Sequence, residues 1–141
     1  MNLKIVKMHP DMTSPSYAHQ GDAGLDLRSA EDLTIKIGEI KNIKKGFKVE
    51  LPENTVGLIW DKSGRAAKSG LHCLAGVIDA GFIGEIVCTI KNLSEKNFEV
   101  KKDMKIAQLL IQSILAPDII EVDTLVGGER GEGMHGSTGD F

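Results

Sequence analysis

The C-terminal segment carries side chains and glycines that suit a bound phosphate. Arg130, Ser137 and Thr138 supply hydrogen-bond donors for phosphate oxygens. Glycines at positions 131, 133, 136 and 139 let backbone N–H groups approach an anion closely. Because so little apolar surface cannot drive folding, the sequence predicts that a ligand orders this segment. The alternative from composition alone is a flexible terminus.

Four other short segments also combine glycine or small residues with a polar group. They span residues 22–27, 61–65, 76–85 and 105–109. Each has a purely structural interpretation when taken singly: Asp26 and Asp79 fit turns, Lys62 a solvated charge and Gln108 a buried amide. Only their joint occurrence indicates a functional site.

Size, charge and cysteine content limit the classes of function. The 141 residues fit one domain. The formal net charge of -3 argues against a scaffold that binds many phosphates, so we expect no direct binding of nucleic acid. Cys73 and Cys88 lack the spacing of a CxxC motif, which favours reduced thiols. No apolar run suits a signal peptide or a membrane span, so we expect a cytoplasmic protein that binds no membrane.

Apolar residues alternate with period two along five segments, as is typical of half-buried strands. The alternating residues are Leu33, Ile35 and Ile37; Phe47, Val49 and Leu51; Val56, Leu58 and Trp60; Ile86, Cys88 and Ile90; and Phe98 and Val100. Turn-forming residues separate these segments, and no strand–helix–strand rhythm is visible. The sequence therefore predicts an all-β, jelly-roll-like barrel or sandwich.

Two further segments determine the predicted helix content. The apolar residues between Ile106 and Ile114 fit a helical stripe or a doubly buried strand, and we favour the strand because Pro117 cuts it short. One short helix is predicted over Ser63–Ser69, with Ser63 as a side-chain N-cap and Gly70 at its far end.

The domain boundary is predicted near the C-terminal glycines. We assign residues 1–126 to the β domain and residues 127–141 to a flexible C-terminal arm.

Taken in order, the polar segments resemble the five motifs of the trimeric dUTPase family. The elements AGxDL, SG, GVIDA, IAQL and RGEGxxGSTG occur in the family's order over almost the whole chain. The resemblance implies a homotrimer in which each active site is built from all three chains. It also implies hydrolysis of dUTP to dUMP and pyrophosphate, assisted by Mg²⁺. This reaction would keep uracil out of DNA and supply dUMP for thymidylate synthesis.

The resemblance assigns catalytic roles by position. Asp79 would hold and deprotonate the water that attacks the α-phosphorus. Gln108 matches the amide that hydrogen-bonds phosphate or the catalytic water, and Asp26 matches the acidic residue that supports the metal–water network. Mg²⁺ would be held mainly by phosphate oxygens and water, so no direct protein ligand is predicted.

The resemblance also assigns the nucleoside and phosphate contacts. A hairpin containing Gly76, Val77 and Ile78 would pair its main chain with the uracil edge and so refuse cytosine. Phe82, which replaces a frequent tyrosine, would lie beneath the deoxyribose and leave no room for a 2′-hydroxyl.

The phosphate motif is expected at Lys62, Ser63 and Gly64. Lys62 and Lys105 each replace a more common arginine; a lysine keeps the charge without the bidentate fork. We expect the change at Lys105 to affect interface or supporting contacts only.

The same resemblance implies that the C-terminal arm closes over a neighbouring subunit's site. Arg130 would bind the γ-phosphate, while Gly136, Ser137 and Thr138 add donors. His135 replaces a phenylalanine that stacks on uracil, and its charge can change near neutral pH. Closure would exclude bulk water and strengthen each charged contact.

Two other functions compete with this interpretation. The segment from Asp79 to Gly84 resembles the dCTP deaminases, but Thr89 occupies the position of their acid–base glutamate. A non-catalytic dUTP-binding regulatory module is the second alternative, although a mere binder has no need of Asp79 as a base.

Overall fold

The computed structural model describes residues 2–128, which contain ten strands and one helix. The elements are β1 (Lys4–Lys7), β2 (Gly24–Arg28), β3 (Leu33–Ile35), β4 (Ile40–Glu50), β5 (Thr55–Asp61), α1 (Ser63–Ser69), β6 (Leu71–Leu74), β7 (Val77–Asp79), β8 (Glu85–Asn92), β9 (Phe98–Val100) and β10 (Lys105–Ser113). All pairings between these strands are antiparallel.

Two four-stranded sheets form a sandwich that confirms the predicted all-β, jelly-roll-like fold. The first sheet has the order β1-β4-β8-β6 and the second sheet has the order β2-β10-β5-β7. Strands β3 and β9 form a separate ribbon. Neither four-stranded sheet closes into a barrel.

The core lies between the two sheets. It is lined by alternate residues of the long strands, because successive side chains of a strand point to opposite faces. Its fully buried members include Ile43 and Phe47 of β4, Cys88 of β8, Leu27 of β2 and Leu109 of β10. These residues keep the functional strands of the second sheet fixed against the first.

The alternating apolar residues of β5 were expected to face the core, but they lie on the outer face of the second sheet. Val56, Leu58 and Trp60 point outward, and Trp60 is 58% exposed. Gly57 points into the core instead, where an added Cβ would meet Leu109 Cδ1 at 3.2 Å. Large core side chains fill the space that Gly57 leaves. The outward-pointing residues of β5 are apolar, so this part of the outer face of the second sheet is apolar.

The two ambiguous segments fold as strand and helix, as expected. Residues 105–113 form β10, which pairs with β2 on one side and β5 on the other. Helix α1 spans the predicted residues and ends at Gly70, whose φ of 62° is left-handed. The predicted cap is wrong: Lys62 is the N-cap, without a side-chain cap hydrogen bond, and Ser63 is the first helical residue.

Beyond β10 the chain continues without helix or strand as far as residue 128. Its large apolar side chains are exposed, including Leu115 at 95%, Ile119 at 98% and Val126 at 96%. The predicted arm residues 129–141 lie outside the described residues. No helix within residues 2–128 has the length and apolar character needed to cross a membrane.

Lys45 is a buried lysine inside this sandwich. It lies on the inward face of β4, is 2% exposed, and its Nζ has no hydrogen-bond partner among residues 2–128. Burial lowers the pKa of Lys45, while the neighbouring Cys88 sulfur opposes the shift. The sandwich therefore contains a charge-bearing group whose desolvation opposes folding.

We predict that Lys45→Met stabilises the fold. The free energy of unfolding from urea titration should rise by about 1–3 kcal/mol at neutral pH, because a thioether has no charge to desolvate. A lowered pKa means that the folded chain binds this proton less tightly than the unfolded chain. The gain should therefore shrink as the pH rises towards the ordinary lysine value of 10.5.

The matched control is Lys48→Met, which replaces an exposed lysine of the same strand. Its stability should stay within about 0.5 kcal/mol of the wild type. A Lys45→Met protein that is less stable than the wild type would show that the ammonium has a favourable partner.

Candidate functional site

The first candidate cluster surrounds the hairpin that follows β7. Asp79 ends this strand, and the Phe82 N–H donates to the Asp79 carbonyl at 3.0 Å, closing a tight turn. A cleft of about 360 Å³ is lined by Gly76, Val77, Ile78, Asp79 and Phe82, together with Thr89 of β8. We call the first five residues the hairpin cluster.

Two glycines shape this cleft. Gly76 has a φ of 105°, and an added Cβ would lie 2.9 Å from the Ile59 carbonyl oxygen. The Ile59 N–H donates to the Gly76 carbonyl at 2.8 Å, so the hairpin lies directly against β5. Gly84 leaves room for the Phe82 ring, since a Cβ there would meet Phe82 Cζ at 2.4 Å.

The second candidate cluster is built around a buried carboxylate. Asp26 is 2% exposed, and its two oxygens form ion pairs with the ammonium groups of Lys62 and Lys105. Gln108 lies directly opposite Asp26 on β10. We call these four residues the carboxylate cluster.

The charge of Asp26 depends on its two lysines. Burial alone would raise the pKa of this carboxyl group, but hydrogen bonds from Lys105 and Lys62, together with their positive charges, outweigh burial. The pKa of Asp26 therefore lies below its usual value. The carboxylate stays ionised. Its negative charge and the positive charges of the two lysines leave the carboxylate cluster with a net positive charge.

Gln108 is held in place by the backbone around it. Its Nε2 donates to the Asp61 carbonyl at 2.8 Å. Its Oε1 lies over Gly24, where an added Cβ would approach to 2.3 Å. The Asp61 side chain in turn accepts the Cys73 N–H at 2.5 Å and lies 2.7 Å from His72 Nδ1. These contacts tie β5, β6 and β10 together beside the carboxylate cluster.

Ser63 and Gly64 are exposed at the start of α1, immediately after Lys62. The first intrahelical hydrogen bonds come from Arg65 and Ala66, which both donate to the Lys62 carbonyl. Because the first N–H groups of a helix lack intrahelical acceptors, those of Ser63 and Gly64 are oriented away from the helix. Gly64 has open space where a Cβ would lie.

The two clusters lie at opposite ends of the second sheet. Asp79 is opposite Val56 at the start of β5, whereas Gln108 is opposite Trp60 near its end. Four residues along the strands and two strand spacings put the Asp79 and Gln108 Cα atoms about 16 Å apart. Two such side chains of one chain cannot contact the same water molecule.

The structure brings most predicted residues into one of these clusters or beside it. Five residues of the expected arm lie outside the described residues: Arg130, His135, Gly136, Ser137 and Thr138. The sequence analysis expected Lys105 to affect interface or supporting contacts only, whereas its ammonium contacts Asp26 directly. It gave Asp61 no role, although Asp61 belongs to the polar segment 61–65 that contains Lys62.

The described part of the chain offers no protein cage for a metal. No group of three or more His, Cys, Asp or Glu side chains within residues 2–128 could hold an ion. Both oxygens of Asp26 already contact ammonium groups. Asp26 therefore fits a supporting role better than direct coordination.

Comparisons with known proteins agree with this architecture. A family model for dUTPase matches residues 11–139. A deoxyuridine 5'-triphosphate nucleotidohydrolase from Clostridium tetani is 48% identical over 139 residues, which are 97% of this chain and 96% of the relative. A mutant Staphylococcus bacteriophage 80alpha dUTPase solved with dUpNHpp has a TM-score of 0.93 and 30% identity, covering 98% of both chains.

A second solved structure bears on the metal. It is a mutant dUTPase from phage phi11 of S. aureus that reveals the coordination of a structural Mg(II) ion. It has a TM-score of 0.84 and 26% identity, covering 90% of this chain and 100% of that one. From the family match and the close relative, the chain belongs to the dUTPase family.

Proposed function

We propose that this protein hydrolyses dUTP to dUMP and pyrophosphate by attack of water on the α-phosphorus. The observation that carries the proposal is Asp79, a carboxylate exposed at the rim of the hairpin cleft. A general base must lie within one hydrogen bond of the water that it deprotonates. Asp79 accepts the proton there, and the oxygen attacks phosphorus as pyrophosphate leaves.

The hairpin cluster recognises the nucleoside. Its cleft is long enough for a pyrimidine, and the main chain of Val77 and Ile78 pairs with the uracil edge. Cytosine presents the reversed donor and acceptor pattern and is refused. The Phe82 ring, supported by Gly84, occupies the space beneath the deoxyribose that a 2′-hydroxyl would need.

The carboxylate cluster receives the phosphates. Ser63 and Gly64 are exposed at the start of α1, directly after Lys62, and their N–H groups and the Lys62 ammonium each suit a phosphate oxygen. Gln108 Oε1 accepts a hydrogen bond from the catalytic water while Nε2 stays bound to Asp61. Arg130, Gly136, Ser137 and Thr138 complete the phosphate contacts, and His135 covers the uracil.

Mg²⁺ bound with the triphosphate would neutralise phosphate charge and so assist the departure of pyrophosphate. Phosphate oxygens and water would be its main ligands, because this cation prefers oxygen ligands and keeps several waters. Asp26, whose two oxygens contact Lys62 and Lys105, would support the site without coordinating the metal. Chelation of Mg²⁺ should therefore stop turnover while leaving the fold intact.

Each active site combines the hairpin cluster of one chain with the carboxylate cluster of another. The separation of about 16 Å within one chain exceeds the reach of the two side chains, so a second copy has to supply one half. The assembly is a homotrimer, and the third chain contributes the C-terminal arm.

Exposed apolar surface supports this assembly. Trp60, opposite Gln108, and Val77 of the hairpin cluster, which is 69% exposed, both lie on the outer face of the second sheet. Leu115, Ile119 and Val126 follow β10 without covering their own chain. Exposed apolar patches of this kind mark sites of protein association. The trimer acts in the cytoplasm, where it removes dUTP and supplies dUMP.

We predict strict selectivity for dUTP. With Mg²⁺ present, pyrophosphate release should be rapid from dUTP and at least about 100-fold slower from dCTP, dTTP and UTP, because polar mismatches leave groups unpaired. No pyrophosphate from dUTP would favour a regulatory binding module. Ammonia from dCTP would favour a deaminase, for which Thr89 of the cleft offers no acid–base group.

We predict that Asp79→Asn lowers kcat by about 10²- to 10⁴-fold, because an amide cannot accept the proton of the water. Binding of dUpNHpp, measured by calorimetry, should change little. The control is Asp11→Asn, which removes an exposed carboxylate paired with Lys102. Near-normal turnover of the Asp79→Asn protein would remove this residue from the role of base.

We predict that two inactive variants complement each other. Asp79→Asn damages the hairpin cluster, and Gln108→Ala damages the carboxylate cluster. Equal coexpression should restore about a quarter of the wild-type activity, because random cyclic assembly pairs intact halves at that frequency. Neither variant alone should recover activity. Coexpressed protein that forms mixed oligomers and stays inactive would show that each site lies within one chain.

A further inference from the structure

Asp26 contacts two ammonium groups where one would neutralise its charge. Lys62 pairs with Oδ1 and Lys105 pairs with Oδ2. The side chain of Asp26 is 3% exposed, whereas those of Lys62 and Lys105 are 29% and 37% exposed. The carboxylate is therefore out of reach of bulk water, and its charge depends on these two side chains.

The two lysines have different positions relative to the proposed phosphate contacts. Lys62 is the N-cap of α1 and directly precedes Ser63. Lys105 is the first residue of β10, and its carbonyl accepts a hydrogen bond from Arg65 Nε at 3.2 Å. Lys62 is therefore next to the substrate phosphates, while the backbone of Lys105 is fixed between the sheet and the helix.

Neither neighbouring arginine forms an ion pair with Asp26 within residues 2–128. Arg28 Nη1 donates to the Asp103 carbonyl at 2.7 Å, and its buried Nε has no hydrogen-bond partner among the described residues. The Arg65 guanidinium lies 5.5 Å from the centre of the Phe98 ring. If Lys62 turns towards a phosphate, Lys105 is the cation that remains on Asp26.

We propose that Lys105 is a positioning residue for Asp26. It keeps the Asp26 carboxylate neutralised when the Lys62 ammonium leaves Asp26 and donates its hydrogen bond to a substrate phosphate instead. This inference rests on the proposed function. Without Lys105, moving Lys62 would leave a buried carboxylate unpaired, so Asp26 would retain Lys62 and the phosphates would bind more weakly. Loss of Lys105 should therefore weaken substrate binding and leave the chemical step unchanged, since Lys105 has no proposed contact with the catalytic water or with Asp79.

The first test separates KM from kcat by following pyrophosphate release from dUTP. Lys105→Met should raise KM about tenfold and leave kcat within about threefold, the pattern expected when an interaction serves binding alone. Lys105→Arg should restore KM, because it returns the charge. The control is Lys48→Met, an exposed lysine of the first sheet, which should match the wild type. An unchanged KM for Lys105→Met would overturn the proposal.

The second test repeats the substitution without the buried charge. In an Asp26→Asn background, Lys105→Met should change the Kd for dUpNHpp by less than about twofold, because no carboxylate remains to be neutralised. This pair stays informative if Lys105→Met alone fails to fold, since neither variant contains an unpaired buried carboxylate. A tenfold weakening in this background would show that Lys105 binds phosphate itself and would also overturn the proposal.

Failure of the proposed function has a different outcome. If the wild type releases no pyrophosphate from dUTP, the enzymatic assignment is wrong. The Asp26→Asn comparison then tests Lys105 by binding of dUpNHpp alone, with the same two results deciding it.

Discussion

The register of strand β5 with its two neighbours fixes the distance between Asp79 and Gln108 within one chain. Antiparallel pairing fixes Asp79 opposite Val56 at one end of the strand and Gln108 opposite Trp60 near the other. Side chains on one face of a sheet cannot slide past one another without moving every core residue to the wrong side. The proposed general base and the proposed water-orienting amide are thus kept apart within each chain, so the proposed mechanism requires a second copy of the chain.

The same strand has its apolar residues on the outside. Gly57 faces the core because Leu109 and Leu51 fill the space beside it. Val56, Leu58 and Trp60 are consequently turned outward between the two clusters. In the proposed assembly a second copy approaches this apolar surface, so burial of apolar area and completion of the proposed active site favour the same arrangement.

Electrostatics sets the second constraint. The buried Asp26 needs a cation to stay charged, and in the proposed site the substrate brings several negative charges to the same place. With one lysine, the carboxylate and the phosphates would compete for it. A second lysine on the sheet removes this conflict and leaves the cluster with a positive charge for phosphate. Lys45 shows the contrasting case, in which a buried ammonium without a hydrogen-bond partner among the described residues opposes folding.

Much of the fold could be predicted from the sequence, because alternation, turn residues and the segment Ser63–Ser69 are local signals. The alternation did not predict the short strands β1, β2, β6 and β7, because so few apolar residues give only a weak periodic signal. The outward face of β5 could not be predicted from β5 alone, because Gly57 is accommodated by residues distant in sequence. The motif order revealed Asp79, Gln108 and Asp26 as site candidates. Their separation depends on strand pairing, and the double ion pair of Asp26 depends on packing.

A crystal structure with dUpNHpp and Mg²⁺ tests the shared site most directly. We expect uracil against Val77 and Ile78 of one chain and the phosphates against Ser63 and Gly64 of another, with water between Asp79 and the α-phosphorus. An analogue whose base and phosphates both contact a single chain would contradict this account.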